Sequence, residues 1–211
     1  MPWGGAGGVY RDIASGVAVP HAGHAPNRKT LTASELRNVM DGVDRNTVQG
    51  MRDYAILALM LTAGLSALEI SRANVGDVCE AGGGYVLHIR GSDGQTRDRA
   101  GVPQYAMEAI SKYLYSRGRT GADEPLFMSV SDRNRNKNEH MSAGSVSRVV
   151  KNALRRAGYD DANLTAKSLK VSAMKLALQR GEHLEDVQRF ARHRQIRTTF
   201  LYEHGISDTA D

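Results

Sequence analysis

The sequence predicts a mainly α (α+β) domain, a helical bundle carrying one small antiparallel hairpin or sheet. Three observations predict it. Apolar residues recur at helical spacing through most of the chain beyond residue 31. Several of these segments open on a capping residue and close on glycine. Only one stretch, Tyr85 to Arg90, is β-rich and alternating, and a Gly/Asp/Gln turn follows it. With 211 residues and 41% hydrophobic content, one principal core is expected.

Residues 1–30 hold three of the five prolines, many glycines and the isolated His21 and His24, without periodicity, and read as a leader or linker. Thr32-Ala33-Ser34-Glu35 forms a capping box ahead of Leu36, Val39 and Met40, so the fold proper starts there. A second helix is expected from about Thr47 to Leu61, ended by Gly64. Tyr85–Arg90 pairs with Ala100–Pro103 as a hairpin. Tyr105, Ile110, Tyr113 and Leu114 mark a helix closed by Gly118, and Leu126–Val130 reads as a short strand. From Ser145, Val146, Val149, Val150, Ala153, Leu154 and Ala157 line one helix face, with Arg148, Lys151, Arg155 and Arg156 around the rest. Three more helices are expected at about Thr165–Arg180, Leu184–Ala191 and Arg194–Glu203.

Composition excludes some classes of function. The longest apolar run, Ala55–Leu65, is short of the ~18 residues that span a bilayer, and a soluble cytoplasmic protein with no membrane partner is expected. Cys79 is the only cysteine, which rules out an intrachain disulfide and leaves no recognisable metal-ligand spacing. Charge is divided along the chain. Arg133–Arg197 carries fifteen Lys and Arg against six Asp and Glu, while the remainder is net acidic, although the chain as a whole is +5. Such a basic half suits a phosphate backbone or, more plainly, a solvated surface.

Three motifs then appear in order. The first is Ala63-Gly64-Leu65-Ser66-Ala67-Leu68-Glu69 at the turn after a buried helix. The second is Leu164-Thr165-Ala166-Lys167-Ser168-Leu169-Lys170. The third is Val187-Gln188-Arg189-Phe190-Ala191-Arg192-His193, with Thr198, Thr199 and Tyr202 following. Together they resemble the T-G-L-R-x-x-E, L-T-x-H-x-L-R and V-Q-x-x-L-G-H boxes of the tyrosine recombinases (phage integrase family), with a nucleophilic Tyr nine residues after the last His. The resemblance covers about Leu31–His204. It implies a catalytic domain over 31–211, preceded in 1–30 by the end of a core-binding domain.

What the resemblance implies chemically is attack of the Tyr202 hydroxyl on a DNA phosphodiester, giving a 3′-phosphotyrosine and a free 5′-hydroxyl, with no metal, nucleotide or small-molecule cofactor. Two arginines of the family clamp the non-bridging oxygens, and a lysine protonates the departing 5′ oxygen. Here Ser66 and Lys170 stand at the arginine positions, Lys167 at a histidine and Arg192 at a glycine, while His193 and Tyr202 keep their spacing. Lysine keeps the charge of arginine but loses its planar fork. In other phosphoryl transfers one such arginine is worth on the order of 10³ to 10⁵ in rate. The hairpin after Tyr85, where the family commonly has G-K-G, reads Gly91-Ser92-Asp93-Gly94, and no lysine occurs between Lys29 and Lys112.

The candidate catalytic set is therefore Tyr202, His193, Lys170, Lys167 and Ser66. Arg148, Lys151, Arg155, Arg192 and Arg194 are the candidate DNA contacts. Double-stranded DNA is the implied partner, and a homo-oligomer on DNA is compatible with the family. Two readings stay open: a DNA-binding recombinase relative from a mobile element with weak or lost cleavage, and a divergent active enzyme. Each key residue also has a plain structural alternative, Tyr202 as a packing residue of the last helix and His193 as a helix-end histidine.

Overall fold

The computed structural model describes residues 29–118, 120–129, 139–196 and 198–199. The leader expected at 1–30 lies almost wholly outside these, as does Tyr202. Helix α1 (Ala33–Asp41) begins at the predicted capping box: Glu35 N–H donates to Thr32 Oγ1, and Thr32 N–H donates to the Glu35 carboxylate at 2.7 Å. Helix α2 (Val48–Thr62) is capped by Thr47. Every residue from Ala55 to Met60 is at most 1% exposed, so burial on all sides makes α2 the axis of the domain. Arg52 is buried on the same helix and donates to Asp53 Oδ1 at 2.7 and 3.0 Å and to the Met128 carbonyl at 2.9 Å.

After Gly64 the chain forms α3 (Ala67–Arg72), a 3₁₀ turn (Val75–Asp77) and three strands, β1 (Val78–Ala81), β2 (Gly84–Arg90) and β3 (Thr96–Val102). The strands form one antiparallel sheet in the order β1-β2-β3, with Val78 opposite Leu87 and Tyr85 opposite Val102. Leu87, Ile89, Ala100 and Val102 turn to the core. The root of the hairpin is tied by Arg90, whose Nε donates to both Asp77 carboxylate oxygens at 2.7 and 2.8 Å, while Asn74 N–H donates to the same carboxylate.

Helix α4 (Gln104–Arg117) ends on Gly118 at φ +74°. It buries Tyr113, whose ring stacks on Phe127 and whose hydroxyl accepts the Met128 N–H at 3.1 Å. Helices α5 (Ala143–Arg156), α6 (Ala166–Gln179) and α7 (Leu184–Ala191) complete the bundle. Leu31 N–H donates to the buried Ser172 Oγ of α6, fixing the start of the fold to its far end. Met174, Val187 and Ala191 form a small separate cluster that packs α7 on α6.

Among the described residues there are seven helices and one three-stranded sheet, the predicted class. The details differ in four places. Leu126–Ser129, the described part of the expected Leu126–Val130 strand, is not a strand; only isolated bridges, Asn74 to Pro125 and Met128 to His140, occur there, because the Met128 N–H and carbonyl are taken up by Tyr113 and Arg52 and the Leu126 carbonyl by Arg117. Strand β3 starts at Thr96 rather than Ala100, since its first residues pair with β2 but face solvent. Strand β1 and helix α3 are additional, and both are too short to show a period. Of the last expected helix, Ile196, Thr198 and Thr199 are helical, and the segment from Phe200 lies outside the described residues.

Candidate active site

The turn from α2 into α3 is built by close approach. Gly64 has φ +60°, and a Cβ on it would lie 2.5 Å from the Phe190 carbonyl oxygen of α7, so this position needs glycine. Ser66 caps α3: Glu69 N–H donates to Ser66 Oγ at 3.3 Å and Ser66 N–H to Glu69 Oε2 at 2.6 Å. The side chain at 66 is therefore held one helical turn from the Glu69 carboxylate.

Arg192 caps the other end of this contact. It ends α7 in the left-handed conformation, φ +54°, and is the only non-glycine residue at positive φ among those described. Its Nε donates to Glu69 Oε1 at 3.0 Å and its Nη2 to Oε2 at 2.9 Å. Nη2 also reaches the Gly64 carbonyl at 2.6 Å, and Nη1 reaches the carbonyls of Ala63 and Phe190 at 3.0 and 3.2 Å. All five N–H donors of the guanidinium are thus matched by protein acceptors. Burial pushes the Glu69 carboxyl up, but the Arg192 fork and the Ser66 bonds together hold it below the usual carboxylate range.

These elements wall a cavity of about 990 Å³ between α3, α5, α6 and the end of α7, lined by Ser66, Lys167, Lys170 and His193 together with Arg148 and Lys151. Lys170 is largely buried and makes no hydrogen bond or ion pair with a described residue. Burial, and next the neighbouring Arg192, push its ammonium down to about 8, against a smaller opposing pull from Glu69. The His193 imidazole is lowered by burial and by the Lys170, Lys167 and Arg192 cations, which favours the neutral ring at neutral pH. Its Nδ1 lies 3.0 Å from Thr199 Oγ1 in the following helical turn. Among the described residues, no group of three His, Cys, Asp or Glu is clustered as a metal site would require.

Residues 29–207 match the phage integrase family. The chain belongs to that family. Tyrosine recombinase XerC of Herpetosiphon aurantiacus is 26% identical over 189 residues, covering 86% of this chain and 58% of its own length. The XerA recombinase crystal structure aligns over 88% of this chain and 62% of its own, with TM-score 0.69 and 18% identity. XerH bound to a palindromic difH substrate in a post-cleavage complex aligns over 84% and 50%, with TM-score 0.70 and 17% identity. The chain spans about half the length of the relatives it matches, and the structural likeness establishes the integrase catalytic-domain fold.

Within that fold, four of the five candidate catalytic residues, Ser66, Lys167, Lys170 and His193, share one cavity. The fifth, Tyr202, lies outside the described residues. The candidate DNA contacts divide. Arg148 and Lys151 line the cavity, though Lys151 also donates to the Asp161 carbonyl. Arg155 is paired on the surface with Asp160 at 2.9 Å, and Arg194 is exposed beyond His193. Arg192, read from the sequence as a DNA contact, has its donors turned inward. Sequence reasoning also missed Thr199 as a partner of His193; their separation of six residues fits no single helical turn, and only the break after α7 brings them together.

Proposed function

We propose that this chain is a DNA-binding member of the integrase family that engages duplex DNA at the Lys167–Lys170–His193 cavity, with strand cleavage through Tyr202 weak or lost. One observation carries the reading. The Arg192 guanidinium in the cavity wall has spent every donor on the protein, so the cations beside His193 left for an incoming phosphate are Lys170 and Lys167, with Arg148 and Lys151 also on the lining. A lysine offers point charge without the bidentate fork that a pentacoordinate phosphorus demands. Binding survives such an exchange better than transition-state stabilisation does.

The XerH structure holds a palindromic substrate, and palindromy mirrors two-fold protein symmetry; assembly of more than one copy on a duplex is part of the proposal. A mobile-element setting and a cytoplasmic location are likewise part of the proposal. A second reading, slow but real cleavage, draws on Lys170 itself. An ammonium with a pKa of about 8 is able to give up a proton near neutral pH, a capacity that the lysine-free hairpin does not offer.

Fluorescence anisotropy with random-sequence duplex, paired with denaturing-gel detection of covalent adducts on a pool of nicked duplexes, tests both. Affinity is expected to fall steeply between ~50 and 200 mM salt, with little adduct. A flat salt response would remove the DNA-binding reading. Abundant adduct that disappears in Tyr202→Phe would replace weak cleavage with the second reading.

A further inference from the structure

Two departures from the family pattern face each other across the cavity wall. Position 66 is serine where the recombinase box has arginine, and position 192 is arginine where it has glycine. The fold brings both to one carboxylate. Ser66 and Glu69 cap α3 reciprocally, and the Arg192 fork grips both Glu69 oxygens from the end of α7. The Arg192 and Glu69 side chains are only 9% and 22% exposed, so neither charge is tolerable there without the other. Arg192 also holds a left-handed backbone conformation that glycine adopts freely and an L side chain does not. A residue kept at such a position against its conformational preference is held by what its side chain bonds.

We infer that Arg192 is a positioning residue that supplies Glu69, from the end of α7, with the cationic partner that position 66 lacks, making the two departures a single coupled exchange. The relocated guanidinium clamps the carbonyls of Ala63, Gly64 and Phe190 and so locks the α2–α3 turn onto the segment that carries His193. It also contributes positive charge to the wall while leaving no donor for a phosphate. The inference rests on the proposed phosphate site for its functional meaning, but its physical core is the coupling between positions 66 and 192.

The test is a double-mutant cycle on the full chain: wild type, Ser66→Arg, Arg192→Gly and the pair, followed by thermal unfolding at pH 7. Arg192→Gly alone strands the Glu69 carboxylate and three carbonyls and is expected to lower Tm by roughly 10 °C. In the wild-type background Ser66→Arg is expected to give no gain, because Glu69 is already satisfied. In the Arg192→Gly background it is expected to restore at least half of the loss. An equal effect of Ser66→Arg in both backgrounds would overturn the coupling.

If Arg192→Gly does not fold, a folded double variant is itself the rescue, and failure of both overturns the inference. Arg192→Lys keeps charge without the fork and is expected to be less stable than the wild type; equal stability would mean that the fork does nothing. A titration of His193 by imidazole NMR supplies a readout beyond stability: its pKa is expected to rise in Arg192→Gly and to fall back in the double variant. No change in Arg192→Gly would overturn the positioning role. Duplex anisotropy on the same proteins separates the two ideas. A flat salt response in the wild type with a coupled cycle sinks the DNA reading alone, and a steep response with an additive cycle sinks the exchange alone.

Discussion

Replacing Lys170 with methionine isolates the energetic cost of keeping a cation in the cavity. The Lys170 side chain is largely buried on α6, and methionine preserves most of its apolar volume while removing the ammonium. In the folded protein the ammonium pKa falls from 10.5 to about 8, with burial the first cause and the Arg192 charge the second. At about 1.4 kcal/mol per tenfold change, this corresponds to roughly 3 kcal/mol by which the charged side chain destabilises the fold. Water at the open mouth of the cavity makes that an upper figure.

Lys170→Met is therefore expected to be more stable than the wild type at pH 7 by about 1–3 kcal/mol, a rise in Tm of roughly 3–10 °C for a chain of this size. The pH dependence carries a sign. Between about 8 and 10.5 the unfolded chain holds a proton that the folded chain has released, so wild-type stability climbs with pH through that window. Below 8 both states are protonated and the penalty is fully present. The advantage of the methionine variant should thus be constant at neutral pH and fade towards pH 10.5, while its affinity for duplex DNA falls. Calorimetry across pH 7–10.5 measures it. A variant less stable than the wild type at pH 7, or an advantage that does not change across the window, would refute the reasoning.

Further outcomes follow from the same geometry. Gly64→Ala puts a Cβ 2.5 Å from the Phe190 carbonyl oxygen at a positive φ, and denaturant titration should show a loss of about 2–4 kcal/mol. Asp77→Ala removes the 3%-exposed carboxylate that holds Arg90 and caps Asn74; a loss of about 2–3 kcal/mol is expected, with amide exchange in β2 and β3 accelerated more than in α2. His193 has a folded-state pKa below its ordinary 6.5, so the unfolded chain takes up its proton first as pH falls, and stability drops below about pH 6.5. His193→Gln should flatten that part of the stability–pH curve, and an unaltered slope would place the effect elsewhere.

The sequence by itself determined the helical class, the approximate extents of the long helices and the family. Thr32 and Thr47 mark their helices correctly, Gly118 closes α4, and α7 runs over the predicted Leu184–Ala191, because caps and helical periodicity are local properties of a few adjacent side chains. It also showed that Ser66, Lys170 and Arg192 depart from the family's motifs. Tertiary structure decided what the departures do. Glu69 and Arg192 meet across 123 residues, and no spacing rule encodes which carboxylate a distant arginine will find. From the chain alone Arg192 is one more cation of a basic segment. In the fold, the left-handed end of α7 and the side-chain-free Gly64 turn that guanidinium inward, and Lys167, Lys170 and His193 are left facing the cavity beside Arg148 and Lys151. Short elements escaped for a related reason: α3 and β1 are held by Glu69, Asp77 and pairing with β2, contacts that exist only once the chain has closed on itself.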